Sequence, residues 1–263
     1  MLTLVPTPIG NLADISKRAV EALVDSEIVF CEDTRVTKKL LNLLQIDYSN
    51  KTFYSMHSHN ENDIISNLDI SIFDKNVVYL SDAGMPAISD PGSKLIQFCQ
   101  KNGLKYDVLP GANALLTAFV ASGFEGDFCF FAFLPHKGEE RRKKLETIIN
   151  NKKITILYEA PHRIEKLLEE LKNLIPDRTI FLAKELTKIH QTYIKDKVKN
   201  IKLNNKKGEW VVIIDKNREE TPFLQLSYDD ILELKLSLKE KAKLLSKIST
   251  KSTKEIYNEL IKL

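Results

Sequence analysis

Short apolar runs, often β-branched, alternate along this chain with loops rich in proline and glycine and with helically spaced apolar positions. The clearest case is Val77-Val78-Tyr79-Leu80, which runs into a loop over residues 81–92 built of turn-formers with Asp82 and Asp90. That loop opens a helix carrying Leu95, Ile96, Phe98 and Cys99. Residues 2–5 predict a strand, followed by the 6–11 loop and a helix with Asp14 as its N-cap, turning Ile15, Ala19, Ala22 and Leu23 inward. Residues 28–31 predict a second strand. It delivers Glu32-Asp33-Thr34-Arg35 and a helix with Val36, Leu40, Leu41 and Leu44 on one face. Residues 49–74 form a polar stretch that includes His57 and His59. Residues 106–109 predict a strand ending in Pro110-Gly111, with an apolar helix over 112–122.

The second half repeats this grammar. A very apolar segment at 128–134 precedes Pro135-His136-Lys137-Gly138 and a basic helix. A strand at 154–158 ends in Glu159-Ala160-Pro161-His162-Arg163, and the next helix buries Ile164, Leu167, Leu168, Leu171 and Leu174. A strand at 179–183 ends in Lys184-Glu185-Leu186-Thr187-Lys188, and Gly208 precedes a last strand at 210–214. Strands alternating with helices predict an α/β fold with a parallel sheet and helical crossovers. A soft boundary near residues 110–113 divides the chain into α/β domains at 1–110 and 111–217.

Residues 216–222 read as a charged linker to a helical tail at 226–263. From Leu236 onward there are seven lysines against three glutamates and no glycine or proline. Leu244, Leu245, Ile248, Ile256, Leu260 and Ile261 are its candidate core, and residues 249–253 are a polar break. The pattern suggests a reduced helix-turn-helix with a basic face for nucleic acid, or a lysine-coated hairpin docked on the body.

Composition narrows the classes. With 263 residues, 43% hydrophobic and 29% charged, the chain can build a real core. A net charge of +3 permits an anionic partner without demanding one. No apolar run is long enough for a transmembrane helix, and residues 1–10 lack the basic-then-apolar form of a secretory signal, so a cytoplasmic location is expected. Cys31, Cys99 and Cys129 are odd in number and widely spaced, which suits buried thiols in a reducing compartment. No P-loop and no G-x-G-x-x-G is present, so the Pro/Gly loops are not phosphate cradles. His57 and His59 lack a third ligand at metal spacing, and no metal is expected. Asp90 is read either as a helix N-cap or as a ligand group.

The loops taken together carry a resemblance. Pro6-Thr7-Pro8-Ile9-Gly10-Asn11-Leu12, Cys31-Glu32-Asp33-Thr34-Arg35, the whole 81–92 phrase, Pro110-Gly111, Tyr158-Glu159-Ala160-Pro161-His162-Arg163 and Glu185-Leu186-Thr187-Lys188 occur in order over residues 2–215. This set resembles the tetrapyrrole (corrin/porphyrin) methylase-like superfamily of S-adenosylmethionine-dependent methyltransferases, and within it the branch acting on ribosomal RNA. The 81–92 phrase is highly specific; Pro110-Gly111 alone is weak.

The resemblance implies two α/β domains of the tetrapyrrole methylase type with the cofactor in the cleft between them, and a homodimer. It implies 2′-O-methylation of the ribose of cytidine 1402 in 16S rRNA, with the small ribosomal subunit as partner. Carried over by position, S-adenosylmethionine should touch Ile9, Ser81, Asp82, Met85, Ile88, Asn113, Ala114, Glu159 and Glu185.

A ribose hydroxyl is a weak acid, and Glu32, Asp33, Lys184 and Glu185 are the candidates for a catalytic base. RNA needs cations, and Arg35, Lys38, Arg141, Arg142, Arg163 and Lys188 are the candidates, with Lys39, Lys137, Lys143 and Lys144 on the same surfaces. Tyr54, His57 and His59 are candidates for stacking on an unpaired base.

Two departures matter. Pro6-Thr7-Pro8 stands where the small-molecule branch has a glycine-rich loop, which favours RNA. His190-Gln191 stands where the family often has His-Glu, which makes Gln191 a poor base. The competing readings are a small-molecule tetrapyrrole methyltransferase and an RNA-binding assembly factor that binds the cofactor without chemistry.

Overall fold

Side-chain parity along the early strands sets the first sheet. The computed structural model describes residues 1–217, 227–249 and 251–261, and the chain divides into two compact units, Met1–Asn217 and Arg218–Leu263. Strands β1 (Leu2–Leu4), β2 (Ile28–Cys31), β3 (Thr52–Ser55), β4 (Val77–Leu80) and β5 (Tyr106–Val108) form an all-parallel sheet in the order β3-β2-β4-β1-β5. Leu2, Leu4, Ile28, Phe30, Val77 and Tyr79 face Leu95 and Cys99 of α4 (Ser93–Lys101), with Ile64 and Ile65 of α3 (Glu61–Ser66) beside them. Val5, Val29, Cys31, Val78 and Leu80 face Ala19 and Leu23 of α1 (Lys17–Asp25) and Leu41 of α2 (Thr34–Leu43). Both faces are covered, so β2 and β4 are buried at every position and read as unbroken apolar runs.

This topology creates a crevice. From β1 the chain moves outward through α1 and α2 on one face, then returns through α3 and α4 on the other, as right-handed crossovers require. The neighbours β1 and β4 therefore send their loops to opposite faces, and a ligand crevice opens at their carboxyl ends.

The second sheet is built from β6 (Phe128–Phe133), β7 (Ile154–Glu159), β8 (Thr179–Lys184), β9 (Thr192–Lys197) and β10 (Trp210–Ile214), in the order β6-β7-β10-β8-β9. One face packs on α6 (Gly138–Ile149) and α7 (Ile164–Leu174) through Leu145, Ile148, Leu167 and Leu171, the other on α5 (Ala114–Ser122) through Leu115 and Ala118. β6 and β7 are parallel, but β10 is antiparallel to both β7 and β8, and β9 is antiparallel to β8. The parallel expectation thus holds for the first sheet and is corrected to a mixed sheet for the second. Residues 185–191 are too few for a crossover, so they return β9 beside β8 in the opposite sense.

Several local expectations shift. Ser16, not Asp14, caps α1 by accepting from Ala19 N–H, while Asn11 caps a 3₁₀ turn at Leu12–Asp14. Val36 is exposed, and the buried face of α2 is Thr37 and Leu41. The polar 49–74 stretch contains β3 and α3.

In the second unit, α8 (Tyr228–Glu233), α9 (Leu238–Ile248) and α10 (Thr253–Leu260) each begin with a reciprocal capping box, Ser227/Asp230, Ser237/Glu240 and Ser252/Glu255. Ile231, Ala242, Leu245, Ile256 and Leu260 form its core. Leu244 is partly buried there, whereas Ile248 and Ile261, expected in that core, are exposed. Residues 218–222 of the expected linker, residue 226 and residue 250 of the polar break lie outside the described residues. Among the described residues no helix is long and apolar enough to cross a membrane.

Candidate active site

Two loops close over the crevice and fix its floor. Thr7 and Gly84 exchange backbone hydrogen bonds of 3.0 and 3.1 Å, joining the loops that follow β1 and β4. Thr7 Oγ1 also donates to the Ser81 carbonyl at 3.2 Å. Gly84 adopts φ +84°, and a Cβ there would lie 3.0 Å from Ile9. At the far end of the loop Gly92 is the N-cap of α4, so Asp90 is not the cap. A Cβ on Gly92 would meet the Tyr79 ring at 2.6 Å. Gly92 N–H donates at 2.9 Å to Glu61, a buried carboxylate that Lys94 approaches at 3.4 Å. The 81–92 loop is thus anchored at both ends.

Above this floor lies a cavity of about 440 Å³. The first sheet contributes Ile9, Glu32, residues 82–85 and residues 88–90; the start of α5 contributes Asn113 and Ala114. The second sheet contributes Phe133, residues 158–161, Leu186 and residues 209–211. The register of β7, β10 and β8 places Glu159, Trp210 and Lys184 in one row, which aligns the strand ends at this edge. Asn113 also caps α5, accepting from Leu116 N–H at 3.1 Å.

The polar lining is acidic. Burial raises the Glu32 carboxyl above its usual range, and the charges of Asp90 and Asp82 add to the effect. Asp82 and Asp90 are raised by burial in the same way. Asp82 accepts from Asp33 N–H at 3.1 Å. Glu159 is buried, and burial again raises it, opposed by the Ala160 N–H and Arg163. Its Oε1 takes both partners, Arg163 Nε and Ala160 N–H, at 3.0 Å. Its Oε2 is buried without a hydrogen-bond partner.

The sequence candidates separate sharply. Ile9, Glu32, Asp82, Met85, Ile88, Asn113, Ala114 and Glu159 line the cavity. Ser81 lies beneath it, buried, with Oγ toward the Gly84 carbonyl. Asp33 is instead the N-cap of α2, held to about pKa 2 by the Arg35 side chain and then by backbone N–H groups. Arg35 is therefore an exposed cation already paired, at 2.6 Å. Lys184 is buried against the Trp210 ring, with Nζ 5.6 Å from its centroid and 3.4 Å from the Asn205 carbonyl, and is not part of the lining.

Glu185 also stands outside the lining. It adopts φ +51° and accepts from Glu209 N–H at 2.9 Å and Lys188 Nζ at 3.0 Å. Burial acts to raise it, but these donors prevail and its carboxyl sits below the usual range. Lys188 is correspondingly committed to Glu185 and Glu209.

Two RNA candidates need correction. Arg141 is 3% exposed and grips Glu170 at 2.6 Å while donating to the Pro135 carbonyl at 2.9 Å. Arg163 is bound to Glu159 and donates to the Leu134 carbonyl at 2.5 Å. Each guanidinium is held by a carboxylate and a backbone carbonyl, so neither is a free surface cation. Arg142 and Lys38 are exposed, and Lys38 lies 5.0 Å over Phe53. Tyr54 stacks on Phe30 at 4.9 Å, and His57 meets His59 edge-on at 6.0 Å. Among the described residues no three His, Cys, Asp or Glu side chains gather as a metal site. Asp90, Phe133, Tyr158 and Trp210 also line the cavity without having been site candidates from the sequence; Asp90 lies in the turn-rich loop, where its residue type equally suits a helix cap.

Comparison with known proteins places the arrangement. Residues 1–202 match the profile of the tetrapyrrole (corrin/porphyrin) methylases. The chain is 45% identical over 271 residues to the ribosomal RNA small subunit methyltransferase I of Campylobacter fetus, covering 99% of this chain and 100% of that protein. It is 43% identical to the protein of that name in Helicobacter pylori J99, covering 98% and 96%, and 37% identical to that of Haemophilus influenzae, covering 94% and 92%. Among solved structures it resembles the methyltransferase CobJ, with TM-score 0.60 and 19% identity over 82% of this chain and 93% of that one. It also resembles a uroporphyrin III C-methyltransferase from Thermus thermophilus, with TM-score 0.57 and 15% identity over 81% and 96%.

Proposed function

We propose a function for this chain from one established premise: it belongs to the tetrapyrrole (corrin/porphyrin) methylase family. It is a methyltransferase of small-subunit ribosomal RNA, the activity that its relatives' names carry at near full-length coverage. The reaction is 2′-O-methylation of the ribose of cytidine 1402 in 16S rRNA, with S-adenosylmethionine as donor.

The observation that carries the donor site is the cavity itself. Its walls are apolar at Ile9, Met85, Ile88 and Leu186, it holds no lysine or arginine, and its charged side chains are carboxylates. S-adenosylmethionine has no phosphate and carries positive charge, so these residues fit it, and the partnerless Glu159 Oε2 fits a ligand N–H or O–H. When bound, the donor supplies an activated methyl group. Residues 82–85, Ile9, Ile88, Asn113, Ala114 and Glu159 hold it, and the anchored 81–92 loop orients it. Of the base candidates, Glu32 remains in the cavity. Its carboxyl, raised by burial and by the charges of Asp90 and Asp82, takes the proton of the ribose hydroxyl.

The acceptor is a ribosomal subunit, so the enzyme works in the cytoplasm. Leu116 and Val120, 48% and 80% exposed at i and i+4 on α5, support pairing of two copies. The test is incubation of purified protein with labelled donor and 30S subunits, followed by mass spectrometry of rRNA nucleosides. The expected product is 2′-O-methylcytidine at position 1402. Label on a tetrapyrrole precursor and none on 30S subunits would overturn the reading.

A further inference from the structure

The cavity has an aromatic side as well as an acidic one. Phe133 ends β6, an edge strand whose other phenylalanines are engaged: Phe128 with Phe119 at 4.6 Å, Phe130 with Tyr158 at 4.9 Å, and Phe131 under Lys144. Phe133 differs. It is 52% exposed yet lines the cavity, with Tyr158 tilted 60° beside it at 5.6 Å. The register of β6 on β7 shifts between Phe130 and Phe133, and Ala132 adopts φ +50°, where an L side chain is strained. A bulge of this kind re-aims the side chain that follows it. Local strain kept by the surrounding fold, beside a cavity, marks a functional position.

Charge decides what the ring receives. Glu32, Asp82 and Asp90 share the cavity, and none of its lining residues is a lysine or arginine. A phosphate is repelled there; the uncharged base and sugar of a nucleotide are not. RNA read in single strands is splayed out and stacked on aromatic faces, which offsets the loss of its own stacking. We propose that Phe133 is the platform on which the unpaired target base of the RNA stacks, so that its ribose reaches the carboxylate wall while its phosphates stay at the rim. This rests on the rRNA reading above. A π face is shared by all bases, so the platform supplies affinity rather than a choice of cytosine over uracil.

The experiment compares Phe133→Ala, Phe133→Leu and Phe133→Trp. It measures affinity for a short single-stranded RNA carrying the target cytidine by fluorescence anisotropy with donor present, donor affinity by calorimetry, methyl transfer to 30S subunits, and molar mass by light scattering. Stacking predicts that Ala and Leu weaken RNA binding by roughly 5- to 150-fold while Trp matches the parent. Donor affinity changes far less than RNA affinity, and molar mass stays unchanged. Rescue by Leu would make the site an apolar contact, a change in molar mass would make it an interface between copies, and equal RNA affinity in all four proteins would remove the platform; each overturns the proposal. If the parent binds the RNA but transfers no methyl group, the functional reading fails while the variant affinities still decide the platform.

Discussion

Two acidic strand ends meet different fates in this fold. Glu32, after β2, stands in the cavity with Asp82 and Asp90, where no described lining residue is a lysine or arginine, and its carboxyl is raised. Glu185, after β8, lies under Lys188 and the Glu209 N–H, and its carboxyl is lowered. The first has the surroundings that the proposed base requires; the second holds a loop. Residue type at a strand end is the same in both cases, and the neighbouring donors decide the role.

The sharpest way to break this comparison is kinetic. Glu32→Gln should lower the single-turnover rate of methyl transfer by roughly 100- to 10,000-fold, while Glu185→Gln keeps most of it; equal losses would erase the distinction. Next in size is donor binding. Asp82→Ala should weaken S-adenosylmethionine by about tenfold in calorimetry, the loss of one charge-assisted contact, and unchanged affinity would move the pocket elsewhere.

Acid titration of activity sharpens the contrast further. Because Glu32 must be ionised to accept a proton, the rate should fall on acidification at a pH above the ordinary carboxylate range. A profile flat through that region would exclude Glu32 as the base.

The smallest effects are on stability. A raised carboxyl such as Glu32 favours the folded state below its unfolded pKa, and that contribution is lost as pH rises through the folded value. Glu32→Gln should therefore raise the melting temperature at neutral pH. Glu185 has the opposite sign: its contribution is present above the unfolded pKa and is lost as pH falls through the lowered folded value. Its partner Lys188 is one-third exposed, so Glu185→Gln should cost less than about 1 kcal/mol. Melting curves would show the two variants shifted in opposite directions at neutral pH, with both shifts shrinking on acidification.

Much of this architecture was legible because doubly covered strands announce themselves. Val77–Leu80 and Trp210–Ile214 are buried at every position and read as apolar runs. Two of the four edge strands were not legible. Thr52–Ser55 and Thr192–Lys197 are largely exposed, so their side chains carry no burial signal, and only the hydrogen-bonding neighbour defines them. The cavity loops could be read from their turn residues, which brought Ile9, Glu32, Asp82, Met85 and Ile88 to one wall. Arg141 and Arg163 misled for a different reason. Arg141 sits on a basic helix and looks solvent-facing until half-buried Glu170 of α7 is located, while Arg163, at the head of α7, is claimed by Glu159 four residues earlier, whose burial at the end of β7 only the fold reveals. Phe133 was hidden in an apolar segment because the bulge that turns it outward depends on the φ of Ala132.

The position of β10 has a consequence for biosynthesis. It is the last strand of the first unit, yet it sits at the centre of its sheet, between β7 and β8. The parallel sheet of β1 to β5 can assemble as soon as residue 108 has left the ribosome. Its partner sheet stays split into two halves until residues 210–214 arrive. Trp210 and Val211, which complete the cavity wall, come with that strand. A nascent chain therefore cannot close this cavity before nearly all of Met1–Asn217 has been translated, and a truncation before β10 forfeits the cavity together with the sheet.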